Sequence, residues 1–348
     1  MKVDELIRTL GKPKSARLSI PYYSGSSSQG IALAVESMSR HTTDEGWQIM
    51  QGLEHAGYQL CGHDLPINET CVSCILGKVS PGVVLVQDKR EWDVSEKNFR
   101  DKRARFHNVS ILASRPDLFK LTILKDSHQR ADYHRESASE MGVNAWVIYY
   151  HPRMVTHLAP YVRPQHLIRT YHSLNPALVP AYSPNNRRGA LLSGAMSGAY
   201  PFRQFLKKKL GRLPQVEYLA HPGYHRNGCA TRDYLMKLSK YKVAICTSSI
   251  YGYALRKMIE ATACGCVVLT NLPEDEVLPG IDENLVRIPD TKNILEVAQV
   301  LQGIYSAYNP ERQQELATKA KQFYDYRVLG TKLAQDIENL RRQYGVRK

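Results

Sequence analysis

The 348-residue sequence lacks a hydrophobic run long enough to cross a membrane. Its longest apolar runs, such as Val83–Val86 and Ala145–Tyr150, fall far short of the roughly 20 residues that a membrane helix needs. The N-terminal segment contains Asp4 and Glu5 and has no apolar core of a signal peptide. We therefore expect neither a transmembrane segment nor secretion.

A disulfide framework is also missing. The chain has seven cysteines, an odd number, and Cys246, Cys264 and Cys266 lie inside apolar stretches. This usage favours free thiols in a reducing compartment and predicts a cytoplasmic protein. The lone Cys71-Val-Ser-Cys74 motif has no second pair, so it favours a plain helix face over a metal or redox site. The sequence thus predicts no metal site.

Positive charge is what the sequence has in excess. Lys and Arg total 47 against 33 Asp and Glu, which gives a net charge of +14. Most of this excess lies in residues 171–348, which hold 25 basic and 15 acidic residues. Such a balance predicts an anionic partner: a nucleotide, a nucleic acid or an acidic membrane surface.

Short apolar runs alternate with amphipathic stretches of helical length, which is typical of an α/β protein with parallel sheets. A chain of this length also favours two domains. The predicted strands of the first half are Arg17–Tyr22, Tyr58–Gly62, Gly82–Val86, Leu121–Leu124 and Ala145–Tyr150. The composition of His166–Pro184 indicates a linker. The predicted strands of the second half are Ala190–Ser193, Val216–Ala220, Lys242–Thr247, Cys266–Thr270 and Leu285–Ile288.

Three loops of the second half contain chemistry-bearing residues where such folds bind ligands, at the carboxyl ends of strands. They are Ser193–Arg203, His221–His225 and Thr247–Tyr253. The third leads into a predicted helix, Ala254–Cys264, that carries Glu260. A carboxylate on a packed helix face needs a partner. An ion pair with Arg256, four residues earlier, and the diol of a ribose are the two candidates.

The segment Lys257–Leu269, with its pattern Ile-Glu-Ala-x-Ala-Cys-Gly-Cys-Val-Val-Leu, resembles the nucleotide-sugar site of GT-B fold glycosyltransferases, in particular the group-1 or CgeB-like branch. The loops Ser193–Arg203 and His221–Tyr224 resemble the same branch, and the similarity extends from about residue 165 to 305. The resemblance implies two Rossmann-like domains that face a central cleft, with a C-terminal helix returning to the first domain.

Under this resemblance, residues 1–175 form the acceptor-side domain, residues 176–310 the donor domain, and residues 311–348 the bracing helices. Glu260 is expected to hold the donor ribose, and the helix start after Tyr251 the diphosphate, with Arg203 or Arg256 neutralising its charge. The full set of expected donor-binding residues is Glu260, Ser248, Tyr251, Gly252, Tyr253, Ala254, Leu255, Arg256, Ser193, Gly194, Ser197, Arg203, His221, Gly223 and Tyr224.

The chain departs from the family pattern at Gly252, where many retaining members carry a second glutamate. The anomeric outcome therefore stays open. GT-B enzymes do not need a metal held by a DxD motif, because a helix dipole with Arg and Lys can replace Mg²⁺ at the leaving diphosphate. We expect a metal-independent enzyme that needs only its donor, a UDP-, GDP- or dTDP-sugar.

The acceptor hydroxyl needs a general base, which the first half should supply at a strand end. Asp126 and His128, after the strand Leu121–Leu124, are the favoured candidates, and Asp88 comes next. The glycine- and serine-rich segment that contains Ser26, Ser27, Ser28 and Gly30 is expected to form a loop that closes on a ligand.

Alternatives remain open for the acceptor. A polysaccharide or lipid-linked acceptor at an anionic membrane surface fits the basic chain, and so does a hydroxymethylated base in DNA, which would have to be flipped out of the duplex. A non-catalytic binding protein that kept the fold is the third alternative. The oligomeric state is not predicted.

Overall fold

The computed structural model describes residues 30–34, 45–62, 72–86, 111–124, 128, 131–158, 160–222 and 230–344, and within them lie two parallel β-sheets. The first has the order β2-β1-β3-β4-β5-β6, with strands β1 (Gly30–Ala34), β2 (Tyr58–Gly62), β3 (Val83–Val86), β4 (Phe119–Leu124), β5 (Ala145–Ile148) and β6 (Leu167–Arg169). The second has the order β11-β10-β9-β7-β8, with strands β7 (Arg188–Gly194), β8 (Val216–Ala220), β9 (Tyr241–Ile245), β10 (Val267–Thr270) and β11 (Leu285–Arg287).

Helices connect these strands and cover the sheets. They are α1 (Glu45–His55), α2 (Val72–Lys78), α3 (Ala131–Met141), α4 (Pro201–Lys208), α5 (Ala230–Leu238), α6 (Arg256–Ala263), α7 (Ile294–Ala307), α8 (Pro310–Phe323) and α9 (Tyr326–Gln343). A 3-10 helix, Pro152–Leu158, follows β5. No helix in the described part of the chain is long and apolar enough to cross a bilayer.

Both faces of each sheet are covered, which explains the apolar central strands. Every residue of β3, β4 and β5 is buried. In the first sheet, Leu85 and Leu121 belong to the core that α1 and α9 complete, whereas Val84 belongs to the core on the other face. In the second sheet, Ala244 packs with α6 and α8, and Val243 packs with α4 and α7. Strands buried on two sides are mainly apolar, and here Lys120 and Thr122 of β4 are the polar residues among these three strands.

The strand order determines where a ligand can bind. Within each sheet the chain starts next to the centre, moves outward by one strand, and then crosses to the other side. The order therefore reverses between β1 and β3 in the first sheet, and between β7 and β9 in the second. Loops diverge at such points and leave a crevice beyond the carboxyl ends of the strands. The predicted α/β fold with two Rossmann-like sheets is confirmed.

Two predictions about local structure are wrong. Leu167–Arg169, in the expected linker, is a strand, because it pairs with the edge of β5 and this pairing outweighs the proline-rich composition. Gly30, expected in a loop, begins β1. A Cβ on Gly30 would lie within 2.9 Å of Tyr58 and Val83, so tight packing between strands explains the glycine.

The third correction concerns the helix that carries Glu260. It was expected from Ala254, but α6 begins at Arg256, and Leu255 has an extended backbone. The predicted strand Arg17–Tyr22 lies outside the described residues. The division at residues 175 and 310 stays a prediction.

The C-terminal helix α9 returns to the first sheet and packs against α1. Gly52 of α1 and Gly330 of α9 lie at the crossing, where a Cβ on Gly330 would stand 2.1 Å from the backbone carbon of Gly52. Beyond the helix, the ring of Tyr344 packs 5.5 Å from that of Phe119. The last helix of the chain is therefore part of the core of the first half.

The glycine contact leads to a stability prediction. Gly330→Ala should destabilise the fold by about 1–3 kcal/mol, because the new methyl group must push α1 and α9 apart. Urea unfolding of the purified protein measures the change. Gly303→Ala in α7 is the matched control, since a Cβ there meets nothing within 4 Å and alanine improves helix propensity. Equal effects of the two substitutions would contradict the assigned contact.

Candidate functional site

The carboxyl ends of β7 and β9 lie side by side, and Gly194 ends β7 at this point. Its backbone has a φ of +119°, which favours glycine. A Cβ here would lie 2.5 Å from Nη1 of Arg203 and 2.5 Å from Nζ of Lys257. Two cationic side chains therefore meet over one glycine. Positive charge concentrated at a strand end attracts an anionic ligand.

The guanidinium of Arg203 is buried and rigidly held. Its Nε donates to Oγ1 of Thr247 at 3.0 Å, Nη2 donates to the Thr247 carbonyl at 2.9 Å, and Nη1 donates to the Ala195 carbonyl at 2.9 Å. Its carbon Cζ lies 3.9 Å from the ring centre of Tyr200. These contacts fix the direction of the charge before any ligand arrives, as a preorganised anion site requires.

Lys257 is the site residue that the sequence analysis missed. Burial lowers its pKa to about 8, and the charge of Arg203 lowers it as well, whereas Cys246 and Glu260 act in the opposite direction. The ammonium group therefore titrates close to neutral pH. A signal was present in the sequence, since the dipeptide Arg256-Lys257 interrupts an otherwise apolar segment at the start of a helix.

His221 follows β8 and shares this environment. Burial lowers the pKa of its imidazole, and the positive charges of Lys257 and Arg203 lower it further. Ser193, on β7, forms a 2.9 Å hydrogen bond with the hydroxyl of Tyr234, whose ring lies 5.6 Å from Nζ of Lys257. The ends of three neighbouring strands therefore contribute to one polar cluster.

The serine-rich turn after β9 is tied to its neighbours by backbone contacts. The amide of Ser248 donates to Oδ1 of Asn271 at 2.7 Å. The amide of Ile250 donates to the Ala199 carbonyl at 2.9 Å, which joins this turn to the loop that contains Ser197. Ser197 itself is exposed. Asn271 was not expected in the site, but it fixes the start of the turn.

Glu260 lies in the same cluster, and both it and Arg256 are buried. Nε of Arg256 and Oε1 of Glu260 are 3.1 Å apart, in the helical spacing that the sequence offered as one alternative. The carboxylate charge also acts on Lys257 and Tyr234. A carboxylate therefore lies beside the cationic pair, whereas Ala254 packs in the core.

The two halves of the molecule meet at the other end of the turn. Tyr253 is buried in the core of the first half, where its ring stacks on Tyr150 with centres 4.0 Å apart. Nδ1 of His128 is hydrogen-bonded to the Tyr253 hydroxyl, and the His128 ring stacks on Tyr251 at 4.2 Å. The structure thus brings one predicted base together with two predicted donor residues.

A second contact between the two halves of the molecule anchors the loop after β10. The carboxylate of Glu276 is fully buried, accepts from the amide of His151 at 2.7 Å, and forms an ion pair with Arg169. Asp275 pairs with Arg153 beside it. Burial raises the pKa of Glu276, and the Arg169 charge opposes that rise. These acidic residues, unremarked in the sequence analysis, join the second half to the strand ends of the first.

Several expected residues cannot be placed in the site. Asp126, Asp88, Ser26, Ser27, Ser28, Gly223 and Tyr224 lie outside the described residues. In the part of the chain that the structure describes, no group of three or more His, Cys, Asp or Glu side chains could hold a metal ion. The expected metal independence stays a prediction.

No protein-family model matches the chain, and a search of curated proteins finds no relative. Solved structures do show a likeness. HepE of Anabaena, in complex with UDP and glucose, superimposes with a TM-score of 0.58 at 10% identity, over 89% of this chain and 100% of that one. Sucrose-phosphate synthase of Thermosynechococcus elongatus gives a TM-score of 0.57 at 12% identity, over 91% and 99% of the two chains.

A glycosyltransferase of Rickettsia africae gives a TM-score of 0.52 at 11% identity, over 90% of this chain and 98% of that one. At these identities the likeness concerns the fold. It covers about nine tenths of the chain, well beyond the segment in which the sequence shows the resemblance. The chain has the GT-B fold of these glycosyltransferases; the CgeB-like branch is not tested.

Proposed function

We propose that this protein is a glycosyltransferase that transfers a sugar from a nucleotide-sugar to an acceptor hydroxyl. The observation that carries the proposal is the pair of cations, Arg203 and Lys257. They meet over Gly194, at the point where the strand order of the second sheet reverses. A diphosphate fits this pair, because it presents two adjacent anionic groups. HepE, which has the same fold, binds UDP and UDP-glucose, which supports a donor of this class.

The other residues of the cluster have roles under this proposal. Glu260 holds the ribose, the turn Ser248–Leu255 lies along the phosphates, and the start of α6 directs its backbone amides at them. Ser193, Ser197, His221, Gly223 and Tyr224 line the nucleotide. No metal is required, because Arg203, Lys257 and the helix dipole stabilise the leaving diphosphate.

The acceptor side supplies the base. We assign this role to His128, which lies against the donor turn, ahead of Asp126 and Asp88. The acceptor oxygen forms a bond to the anomeric carbon while the bond from that carbon to the diphosphate oxygen breaks. The acceptor proton passes to His128, and the electron pair leaves with the nucleoside diphosphate. Replacing such a base lowers turnover by about 100- to 10,000-fold.

The acceptor is anionic or lies on an anionic surface, because the chain is strongly basic. Binding to duplex DNA and to vesicles with anionic lipid, each titrated with salt, separates the two candidates. Binding to DNA with a steep loss in salt supports a modified base as acceptor. Binding to vesicles alone supports a polysaccharide or lipid-linked acceptor.

Binding of UDP tests the role of the cation pair. We expect UDP to raise the melting temperature with EDTA present, and Lys257→Met to weaken UDP binding by about 10- to 100-fold, the value of a charged hydrogen bond. Lys319→Met is the control, because Lys319 is exposed and pairs with Glu283 and Glu315 on the far helix α8. Calorimetry with both variants measures the affinities, and equal losses would refute the assignment.

Lys257 also predicts a pH dependence. Its pKa of about 8 means that its charge is present below that pH and is lost above it. Affinity for UDP should therefore fall as the pH rises from 7 to 9.5, a range in which the phosphates are already ionised. In Lys257→Met this dependence should disappear. A dependence that persists in the variant would show that another group titrates.

Glu260→Gln tests the ribose contact. The amide keeps the shape of the side chain and removes its charge, so UDP should bind about 5- to 10-fold more weakly, as for the loss of about one hydrogen bond. Pyrophosphate, which has no ribose, should bind at least as well as before. If both ligands weaken together, Glu260 is structural only. UDP-glucose hydrolysis by the wild type separates an enzyme from a binding protein.

A further inference from the structure

Three rings from both halves of the molecule surround the imidazole of His128. His157, in the 3-10 helix after β5, stacks on one face with ring centres 4.3 Å apart and planes 25° apart. Tyr251, in the donor turn, stacks on the other face at 4.2 Å and 17°. The hydroxyl of Tyr253 is bonded to Nδ1, and Tyr253 itself stacks on Tyr150. Nε2 is therefore the ring nitrogen that can serve a ligand.

We propose that His157, Tyr251 and Tyr253 are positioning residues that hold His128 as a neutral base with Nε2 as its proton-accepting atom. The inference rests on the proposed glycosyl transfer for its function, but the arrangement of the rings is testable without it. We call His157, Tyr251 and Tyr253 the ring cradle.

The direction of the hydrogen bond between Nδ1 and the Tyr253 hydroxyl determines which nitrogen carries the proton. A neutral imidazole has one protonated and one basic nitrogen, and the hydrogen bond made by one nitrogen sets the state of the other. When Nδ1–H donates to the Tyr253 oxygen, Nε2 keeps its lone pair and accepts the proton of the acceptor hydroxyl. The imidazolium that forms retains its Nδ1–H bond to Tyr253. A carboxylate performs the same orienting task in serine proteases.

His157 keeps His128 neutral before the reaction. Two stacked imidazoles 4.3 Å apart repel each other when both are protonated. Among the residues that the structure describes, the groups that face this pair are the phenols of Tyr251 and Tyr253 and the guanidinium of Arg135 on α3, which donates to the His157 carbonyl. The charged group among them is a cation. In agreement, burial lowers the pKa of His128, and His157 lowers it further.

The cradle also links the base to the donor turn. Tyr251 and Tyr253 belong to the segment that continues directly into α6, which carries Lys257. Glu276 and Asp275 join the second half to the first close by, at His151 and Arg153. The base is therefore assembled from both halves, and its geometry depends on the donor-side turn.

The direct test is ¹⁵N NMR of the histidine side chains in the full-length protein without ligand, with His128 assigned through the spectrum of His128→Gln. We expect the Nδ1–H tautomer in the wild type. Tyr253→Phe keeps the ring that stacks on Tyr150 and removes the oxygen, so the tautomer should shift toward Nε2–H. His157→Phe keeps a stacked ring without charge, so the pKa of His128 should rise.

A matched control comes from a stacked histidine elsewhere. His166 stacks on Trp146 at the edge of the first sheet. His166→Phe should leave the tautomer and the pKa of His128 unchanged. If His157→Phe fails to fold, His157→Gln removes the same imidazole with a smaller side chain. A His128 pKa that does not change in a folded His157 variant would overturn the role of His157.

Kinetics with UDP-glucose, water serving as acceptor, provides the second readout. Tyr253→Phe should lower kcat by roughly 10-fold or more through the wrong tautomer, while the affinity for UDP stays unchanged. His157→Phe should move the acid limb of the kcat profile to higher pH. A loss of UDP affinity equal to the loss in kcat would show that Tyr253 is a donor-binding residue instead.

Failure of the two proposals can be told apart. If UDP does not bind, the proposed transferase activity fails, while the NMR experiment still decides whether the cradle sets the state of His128. If UDP binds and is turned over but His128 has the Nε2–H tautomer, the cradle proposal alone is wrong.

Discussion

The meeting of two cations, the buried Arg203 and the half-buried Lys257, over Gly194 is the constraint on which the candidate site depends. A guanidinium and an ammonium group placed side by side repel each other and lose hydration, so such a pair needs compensating contacts. Arg203 has them in the carbonyls of Ala195 and Thr247. Lys257 instead has a lowered pKa, with the charge of Glu260 as partial compensation. Under the proposed function, an anionic ligand offsets the remaining cost of this electrostatic imbalance.

The seam between the two halves follows from the same topology. Both sheets are parallel, so loops at the carboxyl ends carry the polar groups, and those of the second sheet reach the first through Tyr253 and Glu276. A fully buried carboxylate is stable there only because Arg169 and the amide of His151 hold it. In the same core that holds Tyr253, α9 packs on α1 through two glycines. The chain therefore crosses between the halves more than once.

The sequence predicted the strands and site residues that depend on local residue patterns. Tyr58–Gly62 and Val216–Ala220 are strands with the expected bounds, because short runs of strand-forming residues that alternate with helical stretches are a local signal. Arg203, His221 and Glu260 lie around one cluster because they follow neighbouring strands. What depends on distant partners was missed. Strand β6 forms because it pairs with β5, and position 30 requires glycine because Tyr58 and Val83 lie too close for a side chain. The pKa of Lys257 is lowered by burial and by the charge of Arg203, 54 positions earlier. No pattern within one segment contains that information.

The departure from the family pattern at Gly252 has a structural consequence. Its φ is +69°, and a Cβ there would stand 3.0 Å from Pro273, so a glutamate at this position would require a different turn. The same turn conformation places Tyr251 and Tyr253 on either side of the glycine, both in contact with His128. A glutamate at position 252 and the ring cradle therefore require different conformations of this turn. A base that removes the acceptor proton serves a single displacement, so under the proposed mechanism the absence of the second glutamate and the presence of the cradle both favour inversion at the anomeric carbon.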